Sequence, residues 1–354
     1  IIYVLVFSRK ASEGSNQQSE ISNGLDKQFK PGLLPDLSKI ELNRLPFVSI
    51  HVPLYNEKRV VNRLLEAVTS MEYESYEVIV CDDSTDETID IVNQWVNHPK
   101  IKILHRDNRE GFKGGALKHA LGAMDERTEF VLVFDADFLP YPDTIVQFLK
   151  YFKVSGYSFD SAQDKGFDEN SKFEYRNSKQ TENSNEINSK QFGASDFGFR
   201  ASNSNIAAVQ GYQWHVLNKS ENWITRGVRT EYAGSYVIER SGAEVYGGLK
   251  QIAGSVFMIR ADLLRRPQYQ WGTSITEDFQ LTLKLYRDGY KVIYTPYIQA
   301  PSECVSTLKR LIRQRMRWAE GHSHNIKKHF TELLKSRLMT GSEKFEFAYL
   351  SPYY

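Results

Sequence analysis

Cysteine is nearly absent: Cys81 and Cys304 are the two among 354 residues. A single pair cannot build a disulfide framework, so a small cross-linked secreted fold is excluded and a reduced compartment is expected. Cys81 closes an apolar run and reads as a core residue. Net charge is as scarce. The 45 Lys and Arg nearly cancel the 44 Asp and Glu, leaving +1, so no global field draws the chain to nucleic acid and no nucleic-acid partner is expected. No apolar run approaches the roughly 20 residues that cross a bilayer. Two nucleotide signatures are missing as well. VPLYNE (52–57), not Gly-x-Gly-x-x-Gly, follows the first expected strand, which argues against a dinucleotide-binding dehydrogenase. No Walker-type Gly-Lys-Ser/Thr occurs.

Both ends read as cut points near a membrane. IIYVLVF (1–7) is followed by Arg9 and Lys10. It is either the tail of a membrane span with its basic pair on the cytoplasmic side, or an edge strand at a frayed end. EKFEFAYLSPYY (343–354) carries aromatic residues that suit a membrane interface. No complete transmembrane segment or signal peptide is visible.

What is present is an ordinary globular composition, 41% hydrophobic with 20 Tyr and 20 Phe, arranged in three parts. Residues 1–45 form a membrane-proximal segment and a polar linker. Residues 46–320 form the main domain, and 321–354 an interface segment leading toward a further membrane helix. Strands are expected at FVSIHV (47–52), EVIVC (77–81), IKIL (101–104) and FVLVF (130–134); order resumes at IAAVQGY (206–212), and QIAGSVFMI (251–259) reads as a buried strand and turn. Helical spacing of Val60, Val61, Leu64, Leu65 and Val68, and of Ala116, Ala120 and Met124, fills the gaps. Ser84-x-x-Glu87 has the form of a capping box, and a helix is expected from Asn222 to about Glu239. Alternating strands and helices imply an α/β fold around a mostly parallel sheet, with ligands at the carboxyl ends of its strands. Residues 155–205 interrupt the pattern. Rich in Ser, Asn, Gln and Lys, they are expected to be a disordered surface insertion.

Chemistry concentrates at those strand ends. Asp82 and Asp83 follow the second strand, and either start a solvated helix or offer Asp83 to a nucleotide base or ribose. Asp135 and Asp137 follow the fourth strand; alternation puts both on one side. Two such carboxylates repel unless a cation joins them. A Mg²⁺ or Mn²⁺ also bound by substrate phosphates suits that pair, and a plain turn at Pro140 and Pro142 is the other reading. GFKGGALKHA (111–120) sets Lys113 among glycines before a helix, either a turn or a loop that approaches phosphates. Thr276-Glu277-Asp278 opens an apolar-periodic helix anchored by Phe279, Leu283 and Tyr286 and ended by Gly289, with Thr276 as a good N-cap. In RLIRQRMRW (310–318), Gln314, Arg317 and Trp318 share one helical face. Trp318 can stack on a sugar and Arg317 can neutralise a diphosphate. The same segment reads as a basic helix resting on a membrane surface, with Arg310, Arg313 and Arg315 on its outer side.

In this order VPLYNE, CDDSTDET, GFKGGAL, DAD, VQGYQW, GSVFMIR, TED and QRMRW resemble the family-2 inverting glycosyltransferases. The branch they resemble is the processive, membrane-bound one of cellulose and glucomannan synthases. That resemblance implies a GT-A nucleotide-sugar-binding fold flanked by transmembrane segments. It implies a UDP- or GDP-hexose donor, a polysaccharide or glycolipid acceptor, a Mg²⁺ or Mn²⁺ cofactor, and a lipid membrane, plasma or inner, with the catalytic domain cytoplasmic. Asp278 would be the general base, with Glu277 beside it. Asp135 and Asp137 would hold the metal, and Tyr55, Asp83, Lys113 and Asp135 would bind the nucleotide sugar. Gln314, Arg317 and Trp318 would place the acceptor and the diphosphate. QIAGSVFMIR (251–260) departs from the branch's usual aromatic-cysteine pair before Gly-Ser. A single-transfer enzyme making a glycolipid, a non-catalytic nucleotide-sugar-binding scaffold and a nucleotidyltransferase are the rivals.

Overall fold

The computed structural model describes residues 37–155 and 205–350. IIYVLVF, Pro31 and Pro35 of the linker, nearly all of the Ser/Asn-rich insertion and the last four residues lie outside that range. Among the described residues no helix is long and apolar enough to cross a membrane.

The first half alternates as expected: β1 (Phe47–Leu54), α1 (Val61–Thr69), β2 (Tyr76–Asp82), α2 (Thr88–Asn93), β3 (Ile101–His105), α3 (Phe112–Ala123), β4 (Thr128–Val133) and α4 (Thr144–Val154). The second half holds β5 (Ile206–His215), α5 (Trp223–Ala233), a π-helical turn (Gly234–Arg240), α6 (Ser241–Tyr246), β6 (Phe257–Arg260), α7 (Ala261–Leu264), α8 (Glu277–Arg287), β7 (Lys291–Ser302), α9 (Leu308–Lys335) and α10 (Gly341–Leu350). The seven strands form one sheet in the order β3-β2-β1-β4-β6-β5-β7. Only β6 runs antiparallel to its neighbours. Parallel strands carry helices on both faces, so their sequences read as continuous apolar runs; every residue of β2 is buried.

One core layer packs α1 and α4 on the sheet through Leu64, Leu65, Phe148 and Phe152. The other packs α8, α9 and α10 on the opposite face through Phe279, Leu283, Tyr286, Leu333 and Phe347. Each such side chain contributes about 1.5–3 kcal/mol when fully buried. Cys81 lies in a third, smaller cluster with Ala116 and Ala120. Burial raises its thiol to about 12, which makes it inert packing.

Four local expectations need correction. The Ser84–Glu87 capping box does not form. Ser84 Oγ accepts the Asn56 N–H, Glu87 pairs with Lys58, and α2 starts later, at Thr88. Thr276 does not cap α8 with its side chain; its hydroxyl accepts from Asn325 Nδ2 at 2.9 Å and so binds α9 instead. The helix begun at Trp223, capped by Asn222 in a true capping box, runs on through the π turn to Tyr246. Of the strand and turn expected at 251–259, the strand begins only at Phe257 and runs on to Arg260. Side chains from β5 hold the stretch before it as a loop.

Candidate active site

The carboxyl ends of β1, β2 and β4 open on one edge of the sheet. Past β4, the Asp135 N–H donates to Ser255 Oγ at 2.9 Å. Asp135 Oδ1 is 2.5 Å from Lys113 Nζ, and the same ammonium donates to Gly254 O at 2.8 Å. Lys113 reaches there because α3 packs its first turn against the loop before α8. A Cβ on Gly114 would strike the Gly272 carbonyl and stand 3.3 Å from Glu277 Cβ, so only glycine allows that approach.

Gly254 is the meeting point. Its φ is +78°, and a Cβ there would stand 3.0 Å from Asp278 Oδ2 and 3.4 Å from Lys113 Nζ. Asp135, after β4, and Asp278, heading α8, are therefore both brought to the Lys113 ammonium at Gly254. The Gly254 loop is held from β5. Gln210 Nε2 donates to Ser255 O and Val256 O, its Oε1 accepts from Ala253 N, and Gln213 Nε2 donates to Ala253 O and Ser255 O. Val256, buried at φ +55°, is a β-branched residue in a strained conformation, as occurs where surrounding structure fixes a functional loop.

Burial and mutual repulsion set the electrostatics. Glu277 is pushed up to about 8, by desolvation first and then by Asp278. Asp278 is also raised by burial, against the pull of Lys113, His322 and the Phe279 N–H, which donates to Asp278 Oδ1 at 2.8 Å. Lys113 and a backbone N–H pull each of the two acids toward its charged form, against burial and, for Glu277, the neighbouring Asp278. Burial alone would lower Lys113, but Asp135 and Glu277 outweigh it and hold the ammonium above its usual value. Asp137 rises to about 7 through burial, then Asp135 and Glu57. Glu57 rises to about 7 through burial and Asp135, offset by Arg310.

Beside this centre, Asp83 is 5% exposed at the end of β2 and takes a two-pronged bond from Arg106, Nε to Oδ1 at 2.6 Å and Nη2 to Oδ2 at 2.5 Å. Arg106 also donates to Glu110 O and Phe112 O, so it fixes the loop that presents Lys113. Tyr55 is 39% exposed, and the Arg109 guanidinium lies 3.3 Å above its ring.

The expected face of α9 arrives only in part. Gln314 is half-buried with Oε1 unpaired, and Trp318 is half-buried. The arginine that lies against Trp318 is Arg315. Arg315 sits 4.5 Å from the Trp318 ring and 5.7 Å from the Tyr232 ring, and pairs with Glu231 at 2.7 Å. Arg317 is exposed. Helical side chains lean toward the N-terminus, so Trp318 covers the turn holding Arg315, and Glu231 on α5 fixes the choice. Sequence reasoning missed Arg106, Gln210, Gln213, Ser255, Arg315 and His322. The strand-end rule that flagged Asp83 also flags Arg106, directly after β3; the glutamines carry no local signal.

Two family models cover the domain in succession. Glycosyl transferase family 2 matches residues 49–210, and glycosyl transferase family group 2 matches 198–351. This chain belongs to the family-2 glycosyltransferases. Within the family it is similar to the cellulose synthase-like glucomannan enzymes. Glucomannan 4-beta-mannosyltransferase 1 of Oryza sativa subsp. japonica is 24% identical over 336 residues, 92% of this chain and 55% of that protein. Glucomannan 4-beta-mannosyltransferase 2 of Arabidopsis thaliana is 25% identical over 324 residues, 88% of this chain and 51% of that protein. The chain thus spans about half the length of the curated relatives it matches. Mannosyltransferase PcManGT from Pyrobaculum calidifontis, solved with GDP-Man and Mn²⁺, superposes with a TM-score of 0.58 at 18% identity, over 99% of this chain and 79% of that one. S. aureus TarS 1-349, solved with UDP-GlcNAc, gives 0.51 at 14% identity, over 86% and 70%. These likenesses establish the GT-A fold of this family-2 member.

Proposed function

We propose that this family-2 domain is an inverting, processive hexosyltransferase that extends a β-linked polysaccharide from a nucleotide-diphosphate sugar. GDP-mannose is the first donor to test, because the glucomannan relatives carry mannosyltransferase names and the Pyrobaculum enzyme was solved with GDP-Man. The observation that carries the reading is the convergence of Asp135, Lys113 and Asp278 at Gly254. It brings a cation suited to a leaving diphosphate and a carboxylate suited to act as base into one small space.

The step follows from these groups. Asp278 accepts the proton of the acceptor hydroxyl. That oxygen bonds to the anomeric carbon as the carbon–phosphate-oxygen bond breaks, and the bonding pair leaves on the nucleoside diphosphate. Attack from the face opposite the leaving group inverts the centre, so an α-linked donor gives a β-linkage. Lys113 offsets the charge that develops on the diphosphate.

Asp135 and Asp137 fit a divalent cation. Among the described residues no three His, Cys, Asp or Glu side chains form a complete metal site, but two crowded carboxylates, with the rest of the shell from phosphates and water, suit Mg²⁺ or Mn²⁺. Such an ion would neutralise the diphosphate. Gln314 and Trp318 place the acceptor sugar. A lipid membrane is the proposed partner of the outer face of α9, and the catalytic domain is proposed to lie on its cytoplasmic side. On that face of α9 Leu308, Ile312 and Met316 are exposed at four-residue spacing beside Lys309, Arg313 and Arg317.

The test is nucleotide release from a panel of GDP- and UDP-hexoses with Mg²⁺ or Mn²⁺ and a β-oligosaccharide acceptor, with products sized. Products several sugars longer than the acceptor are expected. One added sugar per acceptor would favour single transfer; donor binding without release would favour the non-catalytic scaffold.

A further inference from the structure

Resting on that reading, we infer that His322 is a positioning residue which locks the base on α8 to the acceptor-side turn of α9. The first turn of α8 is clamped on two sides. From one, the loop at 250–254 meets it: Ile252 N–H donates to Thr282 Oγ1 at 3.0 Å, Thr282 Oγ1 donates to Asp278 O at 2.9 Å, and Gly254 abuts Asp278. From the other, α9 meets it: Asn325 Nδ2 donates to Thr276 O and Thr276 Oγ1, and Gly321 packs on Thr276.

His322 joins these two sides across the top. Its ring stacks on Phe279 at 4.5 Å between centroids and 28° between planes. Phe279 supplies the N–H that holds Asp278 Oδ1. Nδ1 lies 2.8 Å from Trp318 O, and Nε2 lies 3.0 Å from Gln251 Nε2. A carbonyl can only accept, so Nδ1 carries the proton and Nε2 accepts from the Gln251 amide. Gln251 is anchored in turn, its carbonyl accepting from Arg240 Nη1 at 2.7 Å. His322 is buried. Burial lowers its pKa against the opposing pull of Asp278, and Arg240 lowers it further, so the ring is neutral in one fixed tautomer.

The arrangement ties the turn carrying Trp318 to the helix start carrying Asp278. A sugar stacked on Trp318 then presents its hydroxyl to a base whose position is fixed relative to that platform. Misplacing such a pair by about 1 Å costs roughly 100-fold in rate. The helix phase allows many side chains at 322; only one that both stacks and accepts joins the loop, α8 and α9.

Two variants test this in the whole protein. His322→Phe keeps the stacking and loses both polar links. His322→Gln keeps an acceptor for Gln251. For His322→Phe the expected result is kcat for transfer lowered about 10- to 100-fold. Donor KM and acceptor-independent donor hydrolysis should stay within about twofold of the parent, and the melting temperature unchanged. His322→Gln, which restores the acceptor but not the ring on Phe279, should recover part of the transfer rate lost in His322→Phe. Wild-type kcat in His322→Phe overturns the inference, and so does a parallel loss of kcat, donor KM and melting temperature, which is a purely structural effect. Failure of the unmutated protein to turn over any nucleotide sugar instead overturns the transferase reading itself.

Discussion

Replacing Asp278 by Asn removes one proton acceptor while keeping shape and the Phe279 N–H contact to Oδ1. Loss of a positioned general base costs about 10²–10⁴ in rate, equivalent to roughly 2.7–5.5 kcal/mol of barrier. Nucleotide release in the presence of acceptor should fall by that factor. Donor affinity, measured calorimetrically, should be retained, because Asp83, Lys113 and Asp135 are untouched. Stability should move the other way. Glu277 is raised from 4.5 to about 8, in part by the charge on Asp278. A carboxyl raised on folding binds more protons folded than unfolded between those values, so it removes stability as pH rises through that window. The neutral amide of Asp278→Asn relieves part of this, and each unit of relief is worth about 1.4 kcal/mol. Melting temperatures of the metal- and donor-free proteins should therefore match near pH 4.5 and diverge toward pH 8, with the variant higher. Near-normal turnover in Asp278→Asn would refute the base assignment. A variant that melts lower at pH 8 would refute the electrostatic account of the Glu277–Asp278 pair.

Three further perturbations probe the supports of the site. Gly254→Ala must adopt φ +78° with a Cβ 3.0 Å from Asp278 Oδ2. A loss of about 1–2 kcal/mol in chemical denaturation is expected, with transfer reduced at least tenfold; unchanged kcat would show that the Gly254 contact does not position Asp278. Arg106→Ala strands the buried Asp83 charge, so a loss of roughly 3–5 kcal/mol and a raised donor KM are expected; a melting temperature equal to that of the parent would exclude the pair as a structural tie. His51 is buried and lowered to about 3 from 6.5. The unfolded chain then binds the extra proton below pH 6.5, and stability falls by about 2 kcal/mol by pH 5. His51→Gln should flatten that acid limb in a denaturation series, and an unaltered limb would assign it to other groups.

The first half of the sheet was legible because parallel strands buried on both faces leave apolar runs at nearly their true lengths, as β1 to β4 did. β7 was not. KVIYTPYIQAPS carries Pro296 and Pro301, and proline argues against a strand except at an edge or a bulge. Both exceptions hold here. β7 is the last strand of the sheet, and its register jumps between the Gln210–Tyr294 and Tyr212–Gln299 pairs, around Pro296. The start of antiparallel β6 was not legible because Ile252, Ala253 and Val256 look like strand, while the Ile252 N–H is taken by Thr282 Oγ1 and the Ala253 and Ser255 backbone groups by Gln210 and Gln213 side chains from β5. That competition has no signature within 251–256.

The site divides along the same line. Asp83, Asp135, Asp137 and Asp278 could be read from strand ends and a helix start, because those places position charge by themselves. The lysine shared by Asp135 and Asp278 was legible only as a lysine among glycines. What joins them is a glycine at positive φ and a lysine that reaches across 141 residues of chain to its carbonyl, and no local window contains both. Which arginine of α9 lies against Trp318 was not legible for a related reason. Helical spacing allows both Arg315 and Arg317 near Trp318, and the choice is made by Glu231, 84 residues earlier. Sequence therefore specified which charges exist at the sheet's edge, while long-range packing determined which of them meet. The Gly254 and His322 substitutions bear on function for that reason: each leaves the acids in place and alters only how they are held together.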